Sequence, residues 1–240
     1  MGGDPDADSF LEYAASVAAS SDILEVGIPF SDPVADGPAV QAAGMRSLAS
    51  GTRVSQVLEA CSAFTSSIPV VIMCYYNTVF RMGEEKFAAA LAAAGASGLI
   101  VPDLPLEEGR HLRRSCSRHG IDHILMATPA TPPDRARLIA SAGRGFLYLV
   151  SRYGVTGERS SLPGQAQSLV RAYRGLTSLP VAVGFGISTP AHVADLAASG
   201  ADGVVVGSAI VTRIGSGMEP LAVGDFVRSL RDAAVKGSGE

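Results

Sequence analysis

The chain has 240 residues, of which 47% are hydrophobic and 18% charged, and its formal net charge is −4. This balance is typical of a globular protein with a large core, and the lack of basic clusters argues against a nucleic-acid-binding surface. Three widely separated cysteines, Cys61, Cys74 and Cys116, fit neither a disulfide framework nor a metal site, so we expect a reducing cytoplasm. The acidic start does not resemble a signal peptide, and prolines interrupt the longest uncharged stretch, so we expect a soluble protein.

Apolar periodicity predicts alternating helices and strands along the whole chain. The predicted strands are Asp22–Gly27, Val70–Tyr75, Gly98–Pro102, His123–Thr128, Gly145–Ser151, Val181–Gly186 and Gly203–Gly207. The predicted helices are Asp8–Ser20, Val40–Ser50, Val54–Phe64, Glu84–Ala94, Glu107–His119, Asp134–Ser141, Gln165–Gly175, Pro190–Ser199 and Leu221–Val235, with a short helical turn after Gly207. Repeated βα units of this kind indicate a parallel sheet covered by helices.

A closed (β/α)8 TIM barrel, formed as one domain over residues 1–240, fits this pattern best. Only seven strands are predicted, however, so we expect the barrel to lack its first strand as the chain is written. The strands Asp22–Gly27 and Gly203–Gly207 would then be sheet edges.

One carboxylate, Glu25, interrupts the first apolar strand. Side chains alternate along a strand, so Ile23 and Glu25 share one face while Leu24 and Val26 share the other. A buried ionised carboxylate is unfavourable unless it is paired or takes up a proton. Two interpretations are equally favoured by the residues alone: an ion pair with a neighbouring strand, or a catalytic group.

A second carboxylate, Asp36, follows in the loop after this strand. Two carboxylates in different environments hold different pKa values and so take different acid–base roles. The phrase Asp36-Gly37-Pro38 is also typical of a helix N-cap, and the residues alone favour capping over catalysis for Asp36.

Three glycine-bearing loops follow predicted strands: Gly154–Gly157, Gly184–Ser188 and Gly207-Ser208. Glycine lets backbone N–H groups approach an anion closely, and helix N-termini favour negative charge. A single loop of this kind is usually a turn. Three at the same end of a barrel indicate a phosphate site.

The stretch Glu-Val-Gly-Ile-Pro-Phe-Ser-Asp-Pro-Val-Ala-Asp-Gly-Pro, residues 25–38, resembles the signature of tryptophan synthase alpha subunits. The three glycine loops are similar to the phosphate site of that family, and the resemblance extends from Gly3 to about Val211. It implies a TIM-barrel lyase of tryptophan biosynthesis that cleaves indole-3-glycerol phosphate to indole and glyceraldehyde 3-phosphate. It implies no metal or organic cofactor in this chain, and a pyridoxal-phosphate-dependent beta subunit as partner in an alpha2-beta2 heterotetramer.

The resemblance also implies roles for individual residues. Glu25 would shuttle protons, Asp36 would accept the indole N–H, and Tyr148 would lie beside the catalytic glutamate. The residues implied in substrate and phosphate binding are Gly157, Gly186, Gly207, Ser208, Phe185, Thr156 and Tyr75. The residues implied at the partner-facing rim are Pro29, Asp32, Pro33 and Asn77. Asp103 would either support the pocket by packing or contact the substrate.

Two other functions are compatible with the pattern. The phosphate loops alone would also suit another TIM-barrel enzyme acting on a phosphorylated metabolite, such as an isomerase. Loss of the first strand would suit a catalytically impaired subunit that docks on the beta subunit and modulates it. None of the four histidines shows the spacing of metal ligands.

Overall fold

The computed structural model describes residues 1–150, 163–184 and 186–238. Within them, seven parallel strands form one sheet in chain order, and helices separate the strands. The strands are β1 (Leu24–Gly27), β2 (Val70–Met73), β3 (Gly98–Ile100), β4 (Asp122–Ala127), β5 (Leu147–Val150), β6 (Val181–Gly184) and β7 (Gly203–Val205). The helices are α1 (Ala7–Ala18), α2 (Pro38–Ala49), α3 (Val54–Ser62), α4 (Tyr76–Met82), α5 (Glu84–Ala93), α6 (Arg110–Arg118), α7 (Pro133–Ala142), α8 (Pro163–Arg174), α9 (Pro190–Ala198), α10 (Ser208–Gly215) and α11 (Pro220–Ser238).

The prediction of seven parallel strands, one short of a (β/α)8 barrel, is confirmed. Two helical segments differ from the sequence-based expectation. Helix α4 was not predicted, and α10 has eight residues where only a short turn was expected. The α4 segment is rich in Tyr, Thr, Val and Phe, which favour strands, and its seven residues are too few to give a clear helical period.

The two faces of the sheet have different surroundings. Leu24 and Val26 belong to the large apolar core between the sheet and its covering helices. The other face, the inner face, carries a separate cluster of Val71, Ile100, Ile124, Tyr148 and the partly buried residues around them. In the parallel register Glu25 lies beside Val71, so Glu25 is on the inner face, as the alternation predicted.

Strands β1 and β7 are the two edges of the sheet, and the helices that follow them hold these edges together. Arg46 of α2 donates two hydrogen bonds, of 2.7 and 2.9 Å, to the buried carboxylate of Asp4. The same guanidinium packs on Gly215 of α10, where a β-carbon would lie only 2.9 Å from Nη1. Arg46 therefore joins the N-terminal segment, α2 and α10 into one contact.

Two features are absent from the described residues. No helix among them is long and apolar enough to cross a membrane. No group of three or more His, Cys, Asp or Glu side chains in that part of the chain has the arrangement of a metal site. The three cysteines are free and buried.

Candidate active site

Glu25 projects from β1 onto the inner face and is half-buried. Burial raises the pKa of its carboxyl group to about 7; the charge of Asp36 acts in the same direction and the amino group of Met1 in the opposite one. Among the described residues, none of the ion pairs involves Glu25. The ion-pair interpretation of Glu25 is therefore wrong for this part of the chain. What remains is a carboxyl group that titrates near neutral pH.

Asp36 lies in the loop between β1 and α2, and it does not cap the helix. The N-cap of α2 is Gly37, and no side chain caps this end, so the capping interpretation of Asp36 is wrong. Its carboxylate instead lies within electrostatic range of the Tyr75 hydroxyl. Burial raises the pKa of Asp36, and the nearby Tyr75 hydroxyl opposes this increase.

Tyr75 follows the end of β2 and is only 5% exposed. Its hydroxyl accepts a hydrogen bond of 3.0 Å from the backbone N–H of Ala35, next to Asp36 in the chain. Its ring stacks on Phe30 with 5.2 Å between the ring centroids. Tyr75 is thus in contact with both ends of the loop that carries Asp36.

Tyr148 lies on the inner face of β5 and is 4% exposed. Burial raises its pKa well above the ordinary value, and the charges of Glu25 and Asp36 add to the increase. The hydroxyl packs against Gly184, the last residue of β6. The structure therefore places Tyr148 within electrostatic range of both carboxylates.

The glycine loops are described in part. Gly186 follows β6 with a positive φ of 77°, which glycine adopts without strain. Gly207 is the N-cap of α10, Ser208 is its first residue, and a β-carbon on Gly207 would have open space around it. Gly184, expected in the second loop, is instead the end of β6. Gly157, Thr156 and Phe185 lie outside the described residues.

A cavity of about 510 Å³ lies next to the Asp36 loop, and its volume is within the usual range for small-molecule sites. It is bounded by Ala35 of the Asp36 loop and by the inner-face side chains Ile124, Met126 and Val150. Asp103 also lines it, and its Oδ1 accepts a hydrogen bond of 2.8 Å from the backbone N–H of Tyr76. Asp103 thus holds the start of α4 at the edge of the pocket.

Sequence reasoning missed two contributors to this geometry. The sequence assigns Phe30 no role beyond its place in the stretch 25–38, yet its ring stacks on Tyr75. Gly184 was interpreted as a phosphate-loop residue, yet it makes room for the Tyr148 hydroxyl. The one sequence signal for this role of Gly184 is the alternation along β6, which places Gly184 on the inner face.

A family model described as tryptophan synthase alpha chain matches residues 1–228. A tryptophan synthase alpha chain of Synechococcus sp. (strain CC9902) is 47% identical over 240 residues, covering 98% of this chain and 89% of the relative. The chain belongs to the tryptophan synthase alpha chain family. Another relative in this family, from Methanosarcina barkeri, is 49% identical over 220 residues. The match covers 91% of this chain and 83% of the relative.

Solved structures of the family have the same fold. The tryptophan synthase a2b2 complex of Pyrococcus furiosus contains a chain that superposes with a TM-score of 0.90 at 37% identity, covering 96% of this chain and 95% of that one. A tryptophan synthase structure from Mycobacterium tuberculosis gives a TM-score of 0.89 at 37% identity, covering 97% and 89%. The TIM-barrel prediction is confirmed.

The reaction follows from family membership. The chain is a lyase of tryptophan biosynthesis that cleaves indole-3-glycerol phosphate to indole and glyceraldehyde 3-phosphate. The alternative of an unrelated phosphorylated-metabolite barrel enzyme is set aside, because the family model and the relatives agree over nearly the whole chain.

Proposed function

We propose that Glu25 and Asp36 are the acid–base pair of this cleavage. The observation that carries the proposal is the Glu25 carboxyl group on the inner face, which has a pKa of about 7 and no ion-pair partner among the described residues. An acid–base catalyst works best when its pKa lies near the working pH. Asp36 lies within electrostatic range of Glu25 and of the Tyr75 hydroxyl, so the two carboxylates have different environments and different roles.

Glu25 acts first as an acid and then as a base. Its protonated carboxyl group gives a proton to C3 of the indole ring, which makes the ring a leaving group. The carboxylate that results takes the proton from the hydroxyl on C3′ of the glycerol chain. The C3–C3′ bond breaks, its electrons return to the ring, and indole and the aldehyde are formed with Glu25 protonated again. Asp36 accepts the hydrogen bond of the ring N–H and stabilises the positive charge that the ring carries in between.

Other residues hold the substrate. Tyr148, which is within electrostatic range of the two carboxylates, completes the catalytic group. The proposed substrate- and phosphate-binding residues are Gly157, Gly186, Gly207, Ser208, Phe185, Thr156 and Tyr75. For the phosphate, support comes from the open space at Gly207 and from the N-terminus of α10, where backbone N–H groups and the helix dipole favour an anion.

The partner is a pyridoxal-phosphate-dependent beta subunit in an alpha2-beta2 assembly, as in the Pyrococcus furiosus a2b2 complex. The chain itself uses no metal or organic cofactor in this proposal. The rim around Pro29, Asp32, Pro33 and Asn77 would dock on the partner. Two large apolar side chains near it, Val34 and Phe80, are 75% and 68% exposed, which suits a surface that a partner covers.

The organisation and location of the chain are also part of this proposal. The catalytic groups are carried by a single domain over residues 1–240. The place of action is the cytoplasm, which suits three free buried thiols.

Indole release from indole-3-glycerol phosphate by Glu25→Gln and Asp36→Asn tests the assignment. Each variant should lose about 10²–10⁴-fold in turnover, the usual contribution of a placed acid or base. Glu59→Gln and Asp232→Asn, two exposed helix positions, are matched controls and should keep the wild-type rate. Wild-type rates from both site variants would reject the assignment.

The same assay with and without beta subunit separates an enzyme from an impaired docking subunit. We expect wild-type turnover in at least one of the two conditions. Binding of the beta subunit without turnover in either condition would favour the impaired subunit.

A further inference from the structure

We propose that Asp103 is a positioning residue for the loop that carries Asp36. Its carboxylate holds the start of helix α4 and so fixes Tyr75, whose hydroxyl holds the backbone of Ala35. This inference rests on the proposed function, because Asp36 is one member of the proposed acid–base pair. The role given to Asp103 requires no contact with the substrate.

The parallel pairing of β2 and β3 brings Asp103 level with the start of α4. Met73 is paired with Ile100 in this register, and Tyr76 and Asp103 each lie three residues further along the chain. The Oδ1 atom of Asp103 accepts a hydrogen bond of 2.8 Å from the backbone N–H of Tyr76. The sheet register therefore determines which residue meets this N–H.

The start of helix α4 is stabilised from outside the helix. Its N-cap is Tyr75, whose side chain makes no capping hydrogen bond among the described residues. The first N–H groups of a helix have no partner within it, and a side-chain oxygen that accepts from one of them stabilises that end. Asp103 supplies such an oxygen to Tyr76, the first residue of α4. Asp103 thus fixes the point at which the chain passes from β2 into α4.

Tyr75 lies at the point that Asp103 fixes. Its ring is buried, and it stacks on Phe30 with an angle of 22° between the ring planes. The backbone N–H of Ala35 donates a hydrogen bond of 3.0 Å to the Tyr75 hydroxyl. Because Ala35 directly precedes Asp36, a displacement of the Tyr75 ring also displaces the backbone that carries Asp36.

The contact between Asp103 and Tyr76 needs an acceptor oxygen but no negative charge. Asparagine also supplies an acceptor oxygen and is as good an N-cap as aspartate, whereas alanine supplies none. Asp103→Asn should therefore keep the contact, and Asp103→Ala should lose it. A residue that acted on the substrate through its charge would respond to both substitutions.

Steady-state indole release from indole-3-glycerol phosphate separates the two variants. We expect kcat to fall about tenfold or more in Asp103→Ala, because a misplacement of about 1 Å can cost about a hundredfold in rate. In Asp103→Asn it should stay close to the wild-type value. Asp6→Ala is the matched control, because Asp6 caps α1 by accepting a hydrogen bond of 3.0 Å from the N–H of Ser9. This control loses a helix cap as well and should keep the wild-type kcat.

Hydrogen exchange of the Ala35 amide, followed by NMR in the free protein, reports on the loop directly. Tyr75→Phe removes the acceptor of this N–H, so exchange should become about five- to tenfold faster, the usual effect of losing one hydrogen bond. Asp103→Ala should also make it faster, while Asp103→Asn and Asp6→Ala should leave it unchanged. In the Tyr75→Phe background, Asp103→Ala should change kcat by less than about twofold, because residues that act as a unit are not additive.

Unchanged Ala35 exchange in Asp103→Ala would overturn the proposal. A loss of kcat in Asp103→Asn as large as in Asp103→Ala, or an equal loss from Asp103→Ala with and without the Tyr75 hydroxyl, would overturn it as well. The exchange measurement needs no turnover, so it decides the role of Asp103 even when the proposed function fails. Asp103 is exposed, and loss of one helix cap removes only a small part of the stability of a domain, so Asp103→Ala should fold.

Discussion

The hydroxyl oxygen of Tyr148 lies so close to Gly184 that a β-carbon on residue 184 would be only 2.3 Å from it. The two residues are on adjacent parallel strands, with Tyr148 opposite Ala182 and Gly184 two residues further along. Both Ala182 and Gly184 are small, which leaves room for a tyrosine on the inner face. The contact therefore sets how far the Tyr148 hydroxyl extends toward the end of the barrel where the carboxylates lie.

Gly184→Ala should displace Tyr148 and lower kcat/KM about tenfold or more, while overpacking reduces the free energy of unfolding by about 1–3 kcal/mol. Gly203→Ala on β7 is the control, because its β-carbon would meet Ala182 at an ordinary 3.4 Å. Steady-state kinetics and urea unfolding of both variants check this. An unaffected Gly184→Ala would show that the tyrosine has room to move.

Arg46→Leu should destabilise the fold strongly, because it leaves the buried carboxylate of Asp4 without its cation. Loss of one partner from a buried pair typically costs about 3–5 kcal/mol. Arg228→Leu breaks an exposed pair with Asp225 at 3.3 Å and should change stability little. Equal midpoints for the two variants in urea unfolding would contradict the role given to Arg46.

His123 should make the fold sensitive to mild acid. It is buried on β4, its Nδ1 has no hydrogen-bond partner among the described residues, and burial lowers its pKa to about 4. The unfolded chain, with a histidine pKa near 6.5, binds more protons between these values. The free energy of unfolding is therefore highest above pH 6.5, where His123 is neutral in both states. It decreases by about 3 kcal/mol in total as the pH falls to about 4.

The difference in unfolding free energy between wild type and His123→Leu, measured across this window, checks the prediction. The wild type should lose stability relative to the variant as the pH falls. His192→Gln, at an exposed position of α9, is the control for the loss of a histidine. A flat difference for His123→Leu would show that this histidine accepts its proton without penalty.

Glu25 should have the opposite effect on how stability depends on pH, because burial raises its pKa from 4.5 to about 7. The folded protein then binds more protons than the unfolded chain between these values, so the wild type loses stability as the pH rises through them. Glu25→Gln should therefore be more stable than wild type above pH 7, by about 3 kcal/mol, and about equal below pH 4.5. Thermal unfolding at both ends of the range tests this, with Glu59→Gln as control. A Glu25→Gln variant no more stable at high pH would refute it.

The strands of the inner core were predictable because short apolar runs between turn residues carry a strong local signal. Helix α4 was not predictable from its own residues. Its first N–H is bonded by Asp103, which is 27 positions away in the sequence and is brought there by the adjacent strand β3. A cap supplied by tertiary structure leaves no mark in the helix sequence.

In the site too, features with a local sequence signal were predictable and features set by tertiary structure were not. The alternation along β1 placed Glu25 on the inner face, and this was confirmed. Local preference gave the wrong role for Asp36, because the Asp-Gly-Pro phrase suits an N-cap while the structure uses Gly37 there. The hydrogen bond from the Ala35 N–H to the Tyr75 hydroxyl joins the Asp36 loop to the segment after β2, so only the parallel pairing of β1 and β2 reveals it.

The central claim, that Glu25 begins the reaction as a protonated acid, is tested most directly by the pH dependence of indole release. The wild-type kcat/KM should fall as the pH rises above about 7, because the fraction of protonated Glu25 decreases there. Glu25→Gln should show a much lower rate without this decline. A wild-type rate that stays constant through this range, or a Glu25→Gln variant as fast as wild type, would contradict the account.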